Sequence, residues 1–557
     1  MRTAALLWCS FVATASTSAS ATASATASAT TSATADPIKP NIWLIVADDL
    51  GYGDLGYTGS DIKTPAIDAL AGNGTVLGHY YVNLCCSPTR AMLLTGRYDI
   101  RYGLQTQVIP TNRRYGLDLR ERTLPQYLNA LGYTSHAVGK WHLGEWNWAY
   151  TPTFRGFSSF LGYYGGGEDY YQHTAGGYDL REDNGFNCST NCSTPRLDLR
   201  GAYSSDVFAN WTAALVRRHD FGAAPLFLYS PFQAVHAPVE APDSYVAPYA
   251  HLAPERRVFA GMLAALDAAV AKIQQAFVEK GAWDNTLVVF STDNGGPVGA
   301  KNHHPAGIGT ATGSQNWPLR GGKGSYFQGG VRGTAFVHGS MLKPSLRAGG
   351  VTSLELMHAT DLLPTFVEAA GGPGGSGAGQ AGRPLDGVSM WPYLTQEAHA
   401  GGTRDDLLVN IERVHPTTAP GKDGKCDGEG QYAVVKGAYK LLLGGGGLPN
   451  TLYHDGLPYN GSDPVPQGGC LVACNASGCV DAPSVQLFDV LTDEGERHNL
   501  AETMPSKLAE LMAVVQRYNT SAYVDPLFYK CPVDPSCPSR EGPDKIITPC
   551  PIQPAPC

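Results

Sequence analysis

The sequence predicts an α/β protein with a mainly parallel sheet flanked by helices, followed by a smaller C-terminal α+β sheet domain. Short apolar runs that end in polar residues recur along the first two thirds of the chain. This pattern is typical of the strands of an open parallel sheet. Helical stretches separate these runs. From about residue 405 the pattern changes to short strands and one late helix. With 557 residues and 43% hydrophobic content, the chain can bury a large core.

The predicted strands of the large sheet are apolar runs that lead directly into polar residues. The clearest are Asn41 to Ala47 before Asp48 and Asp49, Pro225 to Tyr229 before His236, and Leu287 to Thr292 before Asp293 and Asn294. In an open parallel sheet, binding sites lie at the carboxyl edge of the strands. We therefore expect these polar residues to meet at one edge.

The helices predicted between these strands end at glycines. Leu124 to Leu131 is followed by Gly132, and Glu255 to Glu279 is followed by Gly281. Strands and helices that alternate in this way place helices on both faces of the sheet.

The C-terminal part is predicted to form a smaller sheet with one helix and a cysteine-rich tail. Its strands are expected in Gln431 to Leu443 and in Gln486 to Val490, and its helix from Leu508 to Tyr518. We divide the chain into a larger domain at residues 37–400 and this domain at residues 401–557, with a Gly-rich loop at residues 371–383 near the boundary.

The amino terminus is typical of an exported protein. Residues 1–20 carry Arg2, then a short apolar core, then small residues, which predicts a cleaved signal peptide. Residues 21–36 are almost wholly Ala, Ser and Thr, which predicts a flexible spacer. We expect no membrane anchor in the rest of the chain, and we expect a secreted protein or one held in a lysosome-like or vacuole-like compartment.

Cysteines and glycosylation sequons fit the same compartment. Seven sequons occur, at Asn73, Asn187, Asn191, Asn210, Asn460, Asn475 and Asn519. Of 13 cysteines, most cluster near Cys188 and in the last quarter, which favours disulfides over a zinc site because histidines at ligand spacing are missing there. Cys85 is the candidate for an unpaired thiol. The net charge of −9 argues against general binding to nucleic acid or acidic membranes.

The segment Cys86-Ser87-Pro88-Thr89-Arg90 places a cysteine and an arginine four positions apart at a predicted helix start. Pro88 suits the first turn of a helix. Free N–H groups and the helix dipole favour an anion there, and they would acidify a thiol. The pentapeptide alone is equally compatible with a structural cysteine.

Two pairs of polar residues offer oxygen ligands to a metal. The acids at the two strand ends, Asp48 and Asp49 at one and Asp293, beside Asn294, at the other, would repel each other unless a cation lay between them. Oxygen ligands select Ca²⁺ or Mg²⁺ over zinc. A strand-end turn, which Asp and Asn form readily, is the alternative for either pair alone.

Lys140 and His142 stand two positions apart in Gly139-Lys140-Trp141-His142-Leu143-Gly144, and therefore on one side of an extended strand. An exposed basic strand end is the alternative. His236 and Lys323, each taken alone, are equally compatible with solvated loop positions.

Together these motifs resemble the sulfatase family. The cysteine, proline and arginine spacing is followed by Thr95-Gly96-Arg97, as in that family, and Thr89 keeps the hydroxyl of the more usual serine. Further strings carry the likeness to N-acetylgalactosamine-4-sulfatase-like arylsulfatases (the arylsulfatase B group), among them Glu168-Asp169-Tyr170-Tyr171, Ser291 to Gly296 and Asn316 to Gly321. The resemblance implies the alkaline-phosphatase-like sulfatase fold.

The resemblance also implies the site. Cys86 would be oxidised to formylglycine by a formylglycine-generating enzyme, and its hydrate would touch one Ca²⁺, with Mg²⁺ as the other possibility. Arg90 and Lys140 would hold the formylglycine, while His142 would take a proton from its second hydroxyl. The implied metal ligands are Asp48, Asp49, Cys86, Asp293 and Asn294; the implied sulfate-binding residues are His236 and Lys323.

The implied reaction is the hydrolysis of sulfate esters in two steps. One hydroxyl of the hydrate attacks sulfur and the alcohol leaves; the second hydroxyl then expels the sulfate by reforming the aldehyde. Aryl sulfates and a sulfated glycan of the N-acetylgalactosamine 4-sulfate type are the expected substrates. Gly165-Gly166-Gly167, near the expected pocket, and the loop from Val298 to Gln315 depart from the family pattern.

Two other functions remain open at this point. A phosphatase or phosphodiesterase on the same architecture would need more metal ligands, usually with histidines for a second ion. A secreted glycan-binding relative without activity would follow if Cys86 stayed unmodified.

Overall fold

The computed structural model describes residues 39–298, 313–347, 349–374, 379–399, 404–413, 430–444, 473–475, 478–480, 485–532 and 534–552. The predicted signal peptide, the Ala/Ser/Thr spacer and most of the loop from Val298 to Gln315 lie outside these residues. Within them, no helix combines the length and apolar character needed to cross a membrane.

The strands are β1 Asn41–Ala47, β2 Thr75–Leu77, β3 Tyr80–Tyr81, β4 Thr134–Lys140, β5 Ser159–Tyr163, β6 Arg181–Asn184, β7 Ser193–Pro195, β8 Leu226–Pro231, β9 Thr286–Thr292, β10 Ala335–His338, β11 Val351–Ser353, β12 Met357–His358, β13 Asp406–Glu412, β14 Gln431–Lys436, β15 Tyr439–Leu443, β16 Ala473–Asn475, β17 Gly478–Val480, β18 Val485–Asp489, β19 Ser539–Glu541 and β20 Ile546–Thr548. The helices are α1 Pro65–Gly72, α2 Cys86–Thr95, α3 Leu124–Ala130, α4 Ser204–Arg218, α5 Asp243–Val246, α6 Pro254–Glu279, α7 Gln328–Val331, α8 Pro344–Arg347, α9 Leu362–Ala369, α10 Trp391–Thr395, α11 Pro505–Asn519 and α12 Leu527–Lys530.

Ten of these strands form one sheet in the order β11-β2-β10-β9-β1-β8-β4-β5-β6-β7. The centre, from β9 through β1, β8 and β4 to β5, is parallel throughout. Toward the edges the sheet becomes mixed, because β10 runs antiparallel to both of its neighbours and β6 runs antiparallel to β5 and β7. The prediction of a mainly parallel sheet is confirmed for its centre.

Strand β1 shows why helices cover both faces of this sheet. Ile42, Leu44 and Val46 pack into one buried cluster, together with side chains of α2, α3 and α9. Trp43 and Ile45, which point the other way, pack into a second cluster with α4 and α6. Successive side chains of a strand alternate between faces, so an unbroken apolar run requires apolar partners on each side.

The smaller C-terminal sheet is antiparallel, in the order β13-β14-β15-β18. The segment predicted as one strand region, Gln431 to Leu443, is a hairpin of β14 and β15 that turns through Gly437 at a φ of 54°. One face of the sheet shares a buried cluster with α11. The other face packs on Tyr326, Phe327 and Val331 of the segment that follows Lys323.

The cysteine-rich tail lies against the segment that follows β4. A disulfide joins Cys537 to Cys550, and the backbone of Cys550 bonds to Trp146 and Trp148. Cys188 bonds to Cys192, and Cys531 is also disulfide-bonded. The disulfides predicted for these clusters are therefore confirmed, and Cys85 is a free, buried thiol as expected. Cys426, Cys470 and Cys557 lie outside the described residues.

Candidate active site

The predicted site residues meet at the carboxyl edge of the parallel centre. Strand β1 leads into Asp48 and Asp49, and its parallel neighbour β9 leads into Asp293 and Asn294. Strand β4 ends at Lys140, and β8 leads through a short loop to His236. Because β1 pairs with β8 and β8 with β4 in the same direction, all these ends lie on one side of the sheet.

Cys86 is the first residue of α2 and is almost completely buried. Its Sγ lies 3.6 Å from Oδ1 of Asp48. Burial raises the pKa of this thiol to about 12, because the lowering effect of Lys140 and Lys323 is the smaller one. The expectation of an acidified thiol at the helix start is therefore wrong for the unmodified cysteine, since desolvation outweighs the effect of the neighbouring lysines.

Thr89 and Ser87 fix this helix start to its surroundings. The hydroxyl of Thr89 accepts a hydrogen bond from the Asn83 amide at 2.8 Å. The hydroxyl of Ser87 donates to the His142 carbonyl at 2.9 Å and accepts from the Ile109 amide at 3.0 Å. Sequence reasoning missed Ser87, because no local signal indicates a partner 55 positions away.

Cations surround the two carboxylates that follow β1. Nζ of Lys140 lies 2.5 Å from Oδ2 of Asp48, and Nζ of Lys323 lies 2.6 Å from Oδ1 of Asp49. Burial alone would raise the pKa of Asp48, but Lys140, His236 and Arg90 outweigh it and lower that pKa. Likewise Lys323 and His236 outweigh burial and lower the pKa of Asp49. Both groups are therefore carboxylates at neutral pH.

Arg90 points toward the same site from α2, one turn after Cys86. Its Nε and Nη2 donate to Oδ2 of Asp293 at 3.1 and 2.8 Å, and its Nη1 donates to the Lys140 carbonyl at 3.1 Å. Nη2 also lies 3.5 Å from Oδ2 of Asp48. Arg90 and Asp293 are both fully buried, so the guanidinium links the ends of β1, β4 and β9.

Asn294 supplies an oxygen that has no partner among the described residues. Its Nδ2 donates to Oδ1 of Asp49 at 2.7 Å, whereas its buried Oδ1 accepts no hydrogen bond. Close by, Asp48, Asp49, Cys86 and His236 each offer a ligand atom within 4.8 Å of the others. The carboxylate oxygens of Asp48 and Asp49 and the amide oxygen of Asn294 are ligands suited to a hard divalent cation. His236 was predicted to bind sulfate and was not predicted as a member of this group of possible metal ligands.

His142 lies just beyond β4 and has a left-handed backbone with a φ of 57°. The prediction that Lys140 and His142 share one side of an extended strand is therefore wrong, since the strand ends at Lys140. Burial, followed by the charges of Lys140 and Arg90, holds the pKa of His142 well below its usual value of 6.5. The ring is neutral at neutral pH, and its buried Nδ1 has no partner among the described residues.

His236 occupies the more open side of the site, with 23% of its side chain exposed. Its Nδ1 lies 2.6 Å from the Ala237 carbonyl, which can only accept, so Nδ1 carries a hydrogen. Nε2 lies 3.7 Å from Oδ2 of Asp49 and is the atom that can exchange a proton. Burial lowers the pKa of this ring.

The Gly165–Gly167 segment lies against both histidines. A Cβ at Gly166 would lie 2.7 Å from Nε2 of His142, and a Cβ at Gly167 would lie 3.2 Å from Cε1 of His236. Only glycine allows the backbone to approach the His142 ring so closely. The expectation that these glycines line the pocket agrees with this placement.

The fold and the sequence of this chain are similar to those of known sulfatases. The profile of the family described as Sulfatase matches residues 40–372. The chain is 34% identical to arylsulfatase J of Mus musculus over 87% of this chain and 76% of that protein. It is 32% identical to arylsulfatase A of Homo sapiens, over 86% of each.

A solved structure agrees with these sequence matches. The crystal structure of Ps i-CgsB in complex with k-i-k-neocarrahexaose has a TM-score of 0.67 and 26% identity, and the match covers 88% of this chain and 94% of that one. The chain belongs to the sulfatase family, whose members hydrolyse sulfate esters.

Proposed function

We propose that this sulfatase acts through a formylglycine derived from Cys86 and one Ca²⁺, with Mg²⁺ as the alternative ion. The observation that carries the proposal is the placement of Cys86. Its Sγ lies 3.6 Å from the Asp48 carboxylate, at the start of α2, among the buried cations Arg90, Lys140 and Lys323. An oxyanion is stabilised in such a place.

The donor set fits a calcium ion. Asp48, Asp49, Asp293 and Asn294 would hold it through oxygen atoms, and the unpartnered Oδ1 of Asn294 supports their assignment. A bound ion would polarise a sulfate oxygen and lower the pKa of the attacking hydroxyl. Two hydroxyls on one carbon, which the aldehyde hydrate supplies, allow one to attack sulfur and the other to release the sulfate.

The remaining residues bind the sulfate group and move protons. His236 lies near the carboxylate of Asp49 on the more open side, and the buried Lys323 contacts the same carboxylate. Both residues would bind sulfate oxygens and neutralise the departing alcohol. Of these two residues, His236 would exchange the proton, through its Nε2. The neutral ring of His142 would take a proton from the second hydroxyl, for which its low pKa keeps an acceptor nitrogen available.

Aryl sulfates and a sulfated glycan of the N-acetylgalactosamine 4-sulfate type are the proposed substrates. His236 is partly exposed, so a sugar beside the sulfate would lie on this more open side of the site. The saccharide in the Ps i-CgsB structure is consistent with a glycan ligand on this fold. Maturation would require a formylglycine-generating enzyme in the secretory pathway, with the product secreted or kept in a lysosome-like compartment.

Two rival functions are less well supported. A phosphatase or phosphodiesterase with two metal ions would need a second ligand group, and the described residues contain a single cluster of His, Cys, Asp and Glu of this kind. An inactive glycan-binding relative is disfavoured by the set of buried acids and bases around Cys86.

Paired assays separate these possibilities. A chromogenic aryl sulfate should be turned over much faster than the matching aryl phosphate, and exhaustive chelation should abolish turnover until Ca²⁺ is restored. Cys86→Ser should trap a sulfated enzyme or be inactive, and Cys86→Ala should be inactive without trapping. Preference for the phosphate, or full turnover by Cys86→Ser, would overturn the proposal.

A further inference from the structure

Glu496 is a buried carboxylate of the C-terminal sheet region that contacts the segment carrying Lys323. It follows β18, is completely buried, and has a left-handed backbone with a φ of 54°. Its Oε1 accepts from Nζ of Lys440 at 2.8 Å, and its Oε2 accepts from the Gln328 amide at 2.6 Å. Its carbonyl oxygen accepts from Nη1 of Arg320 at 3.2 Å.

Arg320 and Gln328 are the two ends of one loop, which we call the Lys323 loop (residues 320–328). A backbone bond from Gly329 to the Arg320 carbonyl, at 2.5 Å, closes its base. Further along the loop, the Lys323 amide donates to the Gly296 carbonyl at 3.1 Å, and the Lys323 ammonium reaches Asp49. Glu496 therefore bonds to both ends of the loop whose middle enters the active site.

Apolar packing alone does not fix the position of this loop. Tyr326 and Phe327 pack against side chains of the C-terminal sheet, among them Phe488, and these apolar contacts are not directional. One hydrogen bond, from Nδ2 of Asn410 to the Tyr326 hydroxyl at 3.1 Å, joins the same sheet to the loop. Hydrogen bonds to a fully buried carboxylate are directional, and a buried carboxylate without partners is strongly disfavoured. The pair of Glu496 and Lys440 is thus suited to setting one position of the loop, a role that buried ion pairs have in other proteins.

We propose that Glu496 is a positioning residue for Lys323. Through Arg320 and Gln328, it holds the Lys323 loop so that the ammonium group lies where sulfate oxygens bind. This inference rests on the proposed function, in which Lys323 binds the sulfate group. It assigns the C-terminal sheet a part in catalysis, although none of the residues described for that sheet is among those that meet at the site.

A double-mutant cycle with an aryl sulfate tests the inference. Glu496→Ala should lower kcat/KM about 10- to 100-fold, the range expected when a binding group is displaced by roughly 1 Å. In a Lys323→Ala background the same substitution should lower kcat/KM no further, because the group that it positions is gone. The loss of Tm caused by Glu496→Ala should be the same in both backgrounds.

Glu494→Ala is the matched control. Glu494 lies two positions away and pairs with Arg332 at 3.2 Å, but it is 43% exposed and has no bond to the Lys323 loop. Its loss should change kcat/KM less than about two-fold, as expected for an exposed pair.

Should Glu496→Ala fail to fold, Glu496→Leu with Lys440→Met replaces both charges by apolar groups, which often preserves stability. It still removes the acceptor for the Gln328 amide, so the same cycle applies.

The outcomes are distinguishable. Equal losses of kcat/KM in both backgrounds, or no loss in either, would overturn the role of Glu496 and leave the proposed function intact. Full turnover by Lys323→Ala alone would overturn the sulfate-binding role of Lys323, and the inference with it. A loss in the wild-type background that vanishes in the Lys323→Ala background supports the inference.

Discussion

The ring of His142, in the field of the cations Lys140 and Arg90, is neutral at neutral pH. The low pKa follows from burial first and from those cations second. At residue scale the sequence motifs predicted, through the family resemblance, a set of side chains that the structure brings together at one edge of the sheet. They did not predict the left-handed turn at His142, nor the high pKa of the Cys86 thiol, since both depend on groups distant in sequence.

Gly166 gives the sharpest prediction at this scale. Gly166→Ala places a methyl group 2.7 Å from Nε2 of His142, so the ring or the backbone must move. We expect kcat for an aryl sulfate to fall about 100-fold with little change in Tm, because a small displacement of a catalytic group has an effect of that order.

Gly72→Ala is the control for that substitution, since a Cβ at Gly72 meets no heavy atom within 4 Å. It should keep normal kcat and KM. Unchanged kcat in Gly166→Ala would mean that the His142 ring position has no part in turnover.

At the scale of elements, the strand and helix predictions were accurate where hydrophobic periodicity was strong. The predicted helix Glu255 to Glu279 is observed as Pro254–Glu279, and the apolar run Asn41 to Ala47 is β1. The antiparallel edge strands were not predicted, since short polar strands such as Arg181–Asn184 carry no clear period.

Asp99 stabilises the segment before α2 and gives a pH-dependent prediction. The buried Asp99 accepts from Nδ2 of Asn83 at 2.6 Å, and burial raises its pKa to about 7 from 3.8. Between pH 3.8 and about 7 the folded protein therefore keeps this proton, whereas the unfolded chain has lost it. The free energy of unfolding consequently falls as pH rises through this range. Asp99→Asn, which cannot ionise, should gain stability relative to wild type by about 1.4 kcal/mol per pH unit in that window.

Urea unfolding midpoints at pH values of about 5 and about 8, on either side of that pKa, measure this difference. Asp118→Asn is the control without a slope, because Arg120 outweighs burial and lowers the pKa of Asp118 from 3.8. Asp118 is ionised in both the folded and the unfolded chain between pH values of about 5 and about 8, so the stability of Asp118→Asn relative to wild type should be the same at both. A pH-independent difference for Asp99→Asn would contradict the raised pKa.

At the scale of the whole molecule, the predicted site residues all come from the part of the chain that forms the large sheet, and the small sheet and the tail pack against that part. The sequence predicted the two sheets from their different patterns of apolar runs. It did not predict that Glu496 contacts the Lys323 loop, because Gln328 and Glu496 are 168 positions apart and neither lies in a recognisable motif. Such pairings follow from tertiary packing and have no local signal.

The disulfide in the tail is predicted to stabilise the fold rather than the chemistry. Cys537 and Cys550 are 13 positions apart, and loop-closure entropy assigns such a crosslink about 3 kcal/mol. Cys537→Ser with Cys550→Ser should lower Tm under non-reducing conditions and leave kcat nearly unchanged. Cys188→Ser with Cys192→Ser, which opens a loop of separation 4, should lower Tm less. Equal Tm values for the two double variants would contradict this ranking.

The central claim is that active enzyme carries an aldehyde at position 86. The direct measurement is the mass of the tryptic peptide from Thr64 to Arg90, taken from active protein after any glycan at Asn73 has been removed. The account predicts a mass in which the Cys86 thiol is replaced by an aldehyde that reacts with hydrazine, while Cys85 keeps its thiol. Fully active protein whose peptide retains both thiols would contradict it.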